Sequence, residues 1–144
     1  MIRKATTEDI FSIAVLGRQF VREVGEEFSF DSETAIRSLQ MAIPSDQFFL
    51  WVSEQDGDVV GFLAGTLSGT LFSKDKVASE LVWYMDPAHR GSEAIKLVNK
   101  FEDWAKANGC NRVSMADVDL LNSLSSLYER KGYKLYEKAY VKGI

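Results

Sequence analysis

At 144 residues the chain suits one domain, which buries roughly two-thirds of its unfolded surface. With 46% hydrophobic and 26% charged residues and no low-complexity tract, disorder is excluded, and no run approaches the roughly 20 apolar residues that a membrane span requires. Lys and Arg number 17 against 21 Asp and Glu, a net charge of −4, so a surface built to neutralise a nucleic-acid backbone is not expected.

In chain order, residues 2–5 read as a short strand, and Thr6 or Thr7 then caps a helix with Ile10, Ile13, Ala14, Leu16, Phe20 and Val21 at helical spacing. After "VGEEFSF" (24–30), Asp31 or Ser32 opens a second helix that stops before Pro44. "FFLWVSE" (48–54) and "VVGFLAGTLS" (59–68) flank Asp56-Gly57 and predict a hairpin. The connector 68–76 leads to a strand over 77–85, which completes a three-strand meander. A long helix follows from about Ser92, with Ala94, Leu97, Val98, Phe101, Trp104 and Ala105 on one face and Asn108-Gly109 as its stop. Residues 110–117 read as a strand, 122–131 as a short helix ended by Gly132, and "YKLYEKAYVK" (133–142) as a last alternating strand. This β-α-α-β-β-β-α-β-α-β order predicts a single domain over residues 1–144. It is of α/β (α+β) class, with a mixed, mostly antiparallel sheet flanked by about four helices and a parallel pair where the long helix crosses over.

The corner between the strand ending at Met85 and the helix beginning near Ser92 carries the chemistry. Its turn, "HRGSEA", aims backbone N–H groups and the positive end of a helix dipole at one spot, which suits a phosphate. His89, Arg90, Lys96 and Lys100 add a local basic group, and a polyanionic small ligand fits this better than a nucleic acid. The bland alternative is a Gly-containing turn and nothing more.

The run "ELVWYMDPAHRGSEAIKLVNKFEDWAK" with the later "LYERKGY" resembles the GNAT superfamily of acetyl-CoA-dependent N-acetyltransferases, and "IRKATTEDI" resembles that family's opening strand and helix cap. The resemblance implies a sheet splayed into a V between the strands at 77–85 and 112–117, with the pantetheine arm of acetyl-CoA in the splay. Backbone groups of Trp83 and Met85 would hold the arm, the turn Arg90, Gly91, Ser92, Glu93 and Ala94 the pyrophosphate, and Asn122 would also contact the cofactor. The turn departs from the family's two small residues: counted without a gap from Arg90, Glu93 and Ile95 stand there. A turn one residue shorter places Ala94 at the last small position.

The family's reaction implies a base for the acceptor amine and an acid for the leaving thiolate. Tyr128, in "LYERKGY", matches the family's tyrosine acid; its structural alternative is a ring packed under the sheet, as is expected of Tyr133, Tyr136 or Tyr140. Glu80, in "SELVW", resembles the Glu of the family's histone-acetylating branch, which is followed by two aliphatics and an aromatic, and is the base candidate; its structural alternative is a solvated charge on an exposed strand, and Asp117 and Asp119 are competitors that are equally turn residues. The acceptor side falls to "VGEEFSFD" and "SGTLFSKDK", where Glu26, Glu27 and Asp31 suit a cation and Phe28, Phe30, Leu71 and Phe72 offer apolar walls.

The expected activity is transfer of acetyl from acetyl-CoA to a primary amine, on a small molecule or on a protein lysine or N-terminus, by direct attack in a ternary complex. An acyl-CoA-binding or protein-interaction module on the same fold is the alternative. No metal is expected, because His89 is the sole histidine and no second ligand stands at metal spacing. Cys110 reads as a buried hydrophobe, and Trp51, Trp83 and Trp104 as core or pocket wall. With one cysteine and no apolar targeting core in "MIRKATTEDI", the cytoplasm is the expected compartment. Homodimerisation stays open.

Overall fold

The computed structural model describes residues 1–25, 28–118 and 123–144. Strand β1 (Ile2–Lys4) leads through a 3-10 turn (Thr7–Asp9) into α1 (Ile10–Val24), followed by α2 (Ser32–Ala42). Then come β2 (Phe48–Gln55), β3 (Asp58–Gly69) and β4 (Lys76–Met85). A 3-10 turn at Pro87–His89, α3 (Ser92–Ala107), β5 (Arg112–Ser114) and α4 (Ser125–Arg130) complete the regular elements. The strands form one sheet in the order β1-β2-β3-β4-β5, antiparallel throughout except for the parallel pair β4–β5. No helix among the described residues is long and apolar enough to cross a membrane.

Local chemistry explains the turns and starts. Asp56 (φ 52°) and Gly57 (φ 84°) are both left-handed, which is the conformation a two-residue hairpin demands, and Gln55 pairs with Asp58 across it. Buried Asp9 accepts the Thr6 backbone N–H at 2.7 Å and both terminal guanidinium nitrogens of Arg3 at 2.8 Å, fixing the entry into α1. At α2 the Asp31 carboxylate accepts the Thr34 N–H at 2.8 Å and so caps the helix.

The two faces of the sheet carry separate cores. On one, Phe49, Leu63, Ala78 and Met85 pack with Leu97, Val98, Phe101 and Ala105 of α3, and Trp51, Trp83 and Trp104 border this cluster. On the other, Leu50, Val52, Phe62 and Tyr84 pack with Ile13 and Leu16 of α1, joined by Leu39 of α2.

One predicted element is absent. Residues 133–142 form no strand: Leu135, Tyr136, Tyr140 and Val141 are all exposed, and Tyr136 and Tyr140 are therefore not packed under the sheet. Their alternation is genuine, but a strand needs a partner edge, and β5 offers only three residues. Tyr133 alone follows the packing expectation, half-buried with its hydroxyl donating to Glu102 at 2.8 Å.

Candidate active site

β4 changes character along its length. Val77, Ala78 and Ser79 pair in parallel with Arg112, Val113 and Ser114; beyond Ser79 the same edge has no strand partner among the described residues. This is the opening that the predicted splay required. The backbone groups facing it follow from the pairing on the other side. The Asp86 N–H donates to the Val60 carbonyl at 2.8 Å, so Gly61–Met85 is a non-hydrogen-bonded pair, and by the period of two so is Leu63–Trp83. The N–H and C=O groups of Trp83 and Met85 therefore point to the open edge, where the sequence expected ligand-binding backbone. The indole Nε1 of Trp83 is buried with no partner among the described residues, a further donor left over beside that edge.

Where the edge opens, the ladder is irregular. Ala64 pairs with Val82 but Gly65 with Glu80, so Leu81 is the extra residue of a β-bulge and is exposed. The bulge re-aims the strand at Glu80. Glu80 is only partly exposed, and one carboxylate oxygen accepts the Ala116 N–H at 3.0 Å, from the segment just after β5. Burial drives its carboxyl upward, against the smaller opposing effect of that hydrogen bond, to about 7. Its proton thus exchanges near neutrality, as a base working at that pH requires.

Tyr128, on α4, is the other predicted catalytic group. Its buried ring lies 6.3 Å from that of Trp83, and its hydroxyl donates to the Ala116 carbonyl at 2.7 Å. Burial, reinforced by the nearby charges of Glu80 and Asp117, holds the phenol well above its usual range, so it keeps its proton. Ala116 therefore serves both side chains, its N–H bound to Glu80 and its carbonyl to Tyr128. Sequence reasoning missed this residue, since a backbone role leaves no mark on residue type.

Of the competing carboxylates, Asp117 accepts the Leu124 N–H and the Ser123 hydroxyl, each at 3.1 Å, and works as a turn residue ahead of α4. Asp119 and Asn122 lie outside the described residues, as do Glu26 and Glu27 of the acceptor segment. Asp31 is occupied as the α2 cap. Phe28 is half-exposed and Phe30 partly so, whereas Leu71 and Phe72 stand almost fully in solvent in the β3–β4 connector.

At the corner, the backbone N–H groups of Arg90, Gly91, Ser92 and Glu93 have no partner among the described residues, whereas that of Ala94 donates to the Gly91 carbonyl at 3.2 Å. The expected basic group, however, does not converge there. Lys96 donates to Glu93 at 2.5 Å, Lys100 lies 5.6 Å over the Trp51 ring, and His89 sits 3.6 Å from Asp86. Arg90 turns back to Glu23 and to the Met85 carbonyl. Each of these side chains lies against another acceptor or an aromatic face, which sequence proximity alone does not reveal. What the corner offers is a set of backbone donors at the start of α3.

A sequence model described as the acetyltransferase (GNAT) family matches residues 15–133. A search of curated proteins finds no match. Among solved structures, the aminoglycoside antibiotic 6'-N-acetyltransferase of Acinetobacter haemolyticus shares 19% identity at a TM-score of 0.77, over 100% of this chain and 99% of its own. Glucosamine-6-phosphate N-acetyltransferase from Arabidopsis thaliana shares 19% at 0.79, over 99% and 97%. A predicted acetyltransferase from Clostridium acetobutylicum, solved with acetyl-CoA, shares 15% at 0.80, over 99% and 95%. At such identities these structures establish the fold.

Proposed function

Because the chain belongs to the acetyltransferase (GNAT) family, we propose that it transfers the acetyl group of acetyl-CoA to a primary amine by direct attack within a ternary complex, Glu80 acting as base and Tyr128 as acid. The observation that carries this reading is the coincidence of three things at one point of β4: the start of its open edge, a carboxyl displaced to about 7, and a buried tyrosine hydroxyl. The open edge fits the pantetheine arm, with outward-facing backbone groups at Trp83 and Met85, the Met85 carbonyl being held by Arg90, and beside them the Trp83 indole, which has no partner among the described residues. The N–H groups of residues 90–93, without a partner among the described residues, fit the pyrophosphate.

In the reaction proposed, ionised Glu80 takes a proton from the amine as its nitrogen bonds to the thioester carbonyl carbon. The carbon–sulfur bond then breaks, and Tyr128 gives its proton to the departing sulfur. The products are an amide and the free thiol, and later exchange with water resets both side chains. Hydrogen bonds from and to Ala116 hold the two groups at a fixed spacing, so that proton removal and proton delivery are set by one backbone residue.

Acceptors of the proposed class are an amine-bearing small molecule or a protein lysine or N-terminus. Acetyl-CoA should raise the melting temperature of the protein at concentrations above its dissociation constant. With an accepted amine, free thiol should appear in step with amide. One observation favours the second reading, an acyl-CoA-binding module: the Tyr128 proton is already committed to Ala116. Stabilisation by acetyl-CoA without thiol release across a panel of polyamines, amino sugars and lysine peptides would select that module. No stabilisation at millimolar acetyl-CoA would sink both.

A further inference from the structure

Glu23 stands in the last turn of α1, a position at which residue type and spacing suggest nothing beyond a solvated charge. Both of its oxygens are engaged across the fold. One accepts the Tyr84 hydroxyl of β4 at 2.5 Å, and the other accepts Arg90 Nη2 at 2.9 Å. Burial works to raise the Glu23 carboxyl, but these two hydrogen bonds outweigh it and keep it ionised. Arg90 completes the link: its Nε donates to the Met85 carbonyl at 3.0 Å, and its guanidinium lies 5.6 Å over the Tyr84 ring. Since the Met85 carbonyl faces the open edge of β4, the Arg90 side chain occupies that edge just where the corner begins.

We propose that Glu23 is a positioning residue that holds Arg90 across the open edge of β4, so that Glu23 and the diphosphate of coenzyme A compete for one guanidinium. The inference rests on the acetyl-CoA reading above. A ligand lying along the edge meets Arg90 already bound to a carboxylate and to the carbonyl that the ligand would use, and must draw it away from both. Arg90 is accessible enough to move, with its side chain 44% exposed, and a diphosphate offers it more negative charge than Glu23 does. Once Arg90 leaves, the end of α1 is released from the corner, and Glu23 keeps only its Tyr84 bond.

The test is a double-mutant cycle read by calorimetric titration of coenzyme A into the full-length protein. Glu23→Gln keeps an oxygen for Tyr84 but removes the charge that retains Arg90, so coenzyme A should bind about two- to fivefold more tightly, the worth of a partly exposed ion pair. Arg90→Gln should weaken binding by about tenfold or more. In the Arg90→Gln background, Glu23→Gln should change nothing. If Glu23→Gln tightens binding equally in both backgrounds, the effect is general electrostatics and the competition is refuted. Weaker binding by Glu23→Gln overturns it too, because Glu23 would then be presenting Arg90 to the ligand or merely supporting the fold, and the melting temperature separates those two. Should the wild-type protein fail to bind coenzyme A at all, the acetyl-transfer reading falls first and this inference with it.

Discussion

β4 is one strand in two settings. From Val77 to Ser79 it pairs with β3 on one side and β5 on the other, so both backbone edges are used; Ala78 is fully buried, and the Phe101 ring presses on the sheet at Gly65. From Glu80 to Met85 it keeps β3 but has no strand partner on the other edge among the described residues. There backbone groups face outward, an indole donor has no partner among the described residues, and Glu80 and the neighbouring Tyr128 have displaced ionisation. The sequence is equally strand-like in both halves. Both halves send side chains into the cores, Ala78 from one and Tyr84 and Met85 from the other, and where the second ladder stops decides which half has a backbone edge available for chemistry.

The largest effect should come from the α3 core that covers the doubly paired half. Phe101→Ala empties a fully buried ring from the middle of the α3 face and should cost about 3–5 kcal/mol in denaturant unfolding. Whatever protein remains folded should still bind acetyl-CoA with near wild-type affinity. If affinity falls in parallel with stability, the two halves of β4 are not separable and the contrast fails.

Tyr128→Phe probes the open half. It keeps the ring against Trp83 and removes the hydroxyl, so turnover should fall by about 10²-fold while acetyl-CoA affinity survives. Loss of the bond to Ala116 should cost about 1 kcal/mol of stability. A fully active Phe variant would make Tyr128 a packing residue like Phe101 and return the site to the binding module.

Gly65→Ala sharpens the boundary between the halves, because Gly65 lies opposite the bulge. A methyl group there would press into the Phe101 ring and come within 3.1 Å of the Ser79 carbonyl, and overpacking of this kind costs about 1–3 kcal/mol. At Gly69, on the same strand, an added methyl group would meet nothing within 4 Å, so Gly69→Ala should leave the melting temperature nearly unchanged. Equal effects at the two positions would mean that the close approach of Phe101 to the sheet is not maintained in solution.

Much of this was legible in the residues. The hairpin at Asp56-Gly57, the strand through Met85 and the helix stop at Asn108-Gly109 are local signals, and the turns fix their own backbone: Asp56, Gly57 and Gly109 all have positive φ. Glu80 and Tyr128 came from a resemblance, and the structure brings both to Ala116. What could not be read depends on partners distant in sequence. The segment 133–142 has the alternation of a strand but lacks an edge long enough to take it. Arg90 has the right position for an anion and yet engages Glu23, 67 residues away. Residue pattern reports propensity and face; it does not report which neighbour reaches a charge first.

The smallest effect is the most specific to the open half. Glu80 lies where β4 loses its second partner, and burial has raised its carboxyl from the ordinary 4.5 to about 7. A folded value above the unfolded one means that the protonated form suits the native state better. That contribution to stability is complete below about pH 4.5 and is lost as pH rises through 7, where the folded protein must carry a carboxylate in a poorly solvated place. Glu80→Gln is neutral throughout and retains an oxygen for the Ala116 N–H. Relative to wild type it should therefore be equally stable near pH 4.5 and more stable above pH 7.5 by about 1 kcal/mol, the full linkage being reduced by the partial exposure of the group. Activity should move the opposite way: wild-type kcat/KM should rise through pH 7 as Glu80 ionises, and the Gln variant should lack that limb, recovering in part at alkaline pH where the amine is free without help. Urea unfolding of both proteins at pH 4.5, 6 and 8 decides the first point. A stability difference that does not change with pH would mean that Glu80 ionises as an exposed residue does, and the open half of β4 would then lose its proposed base.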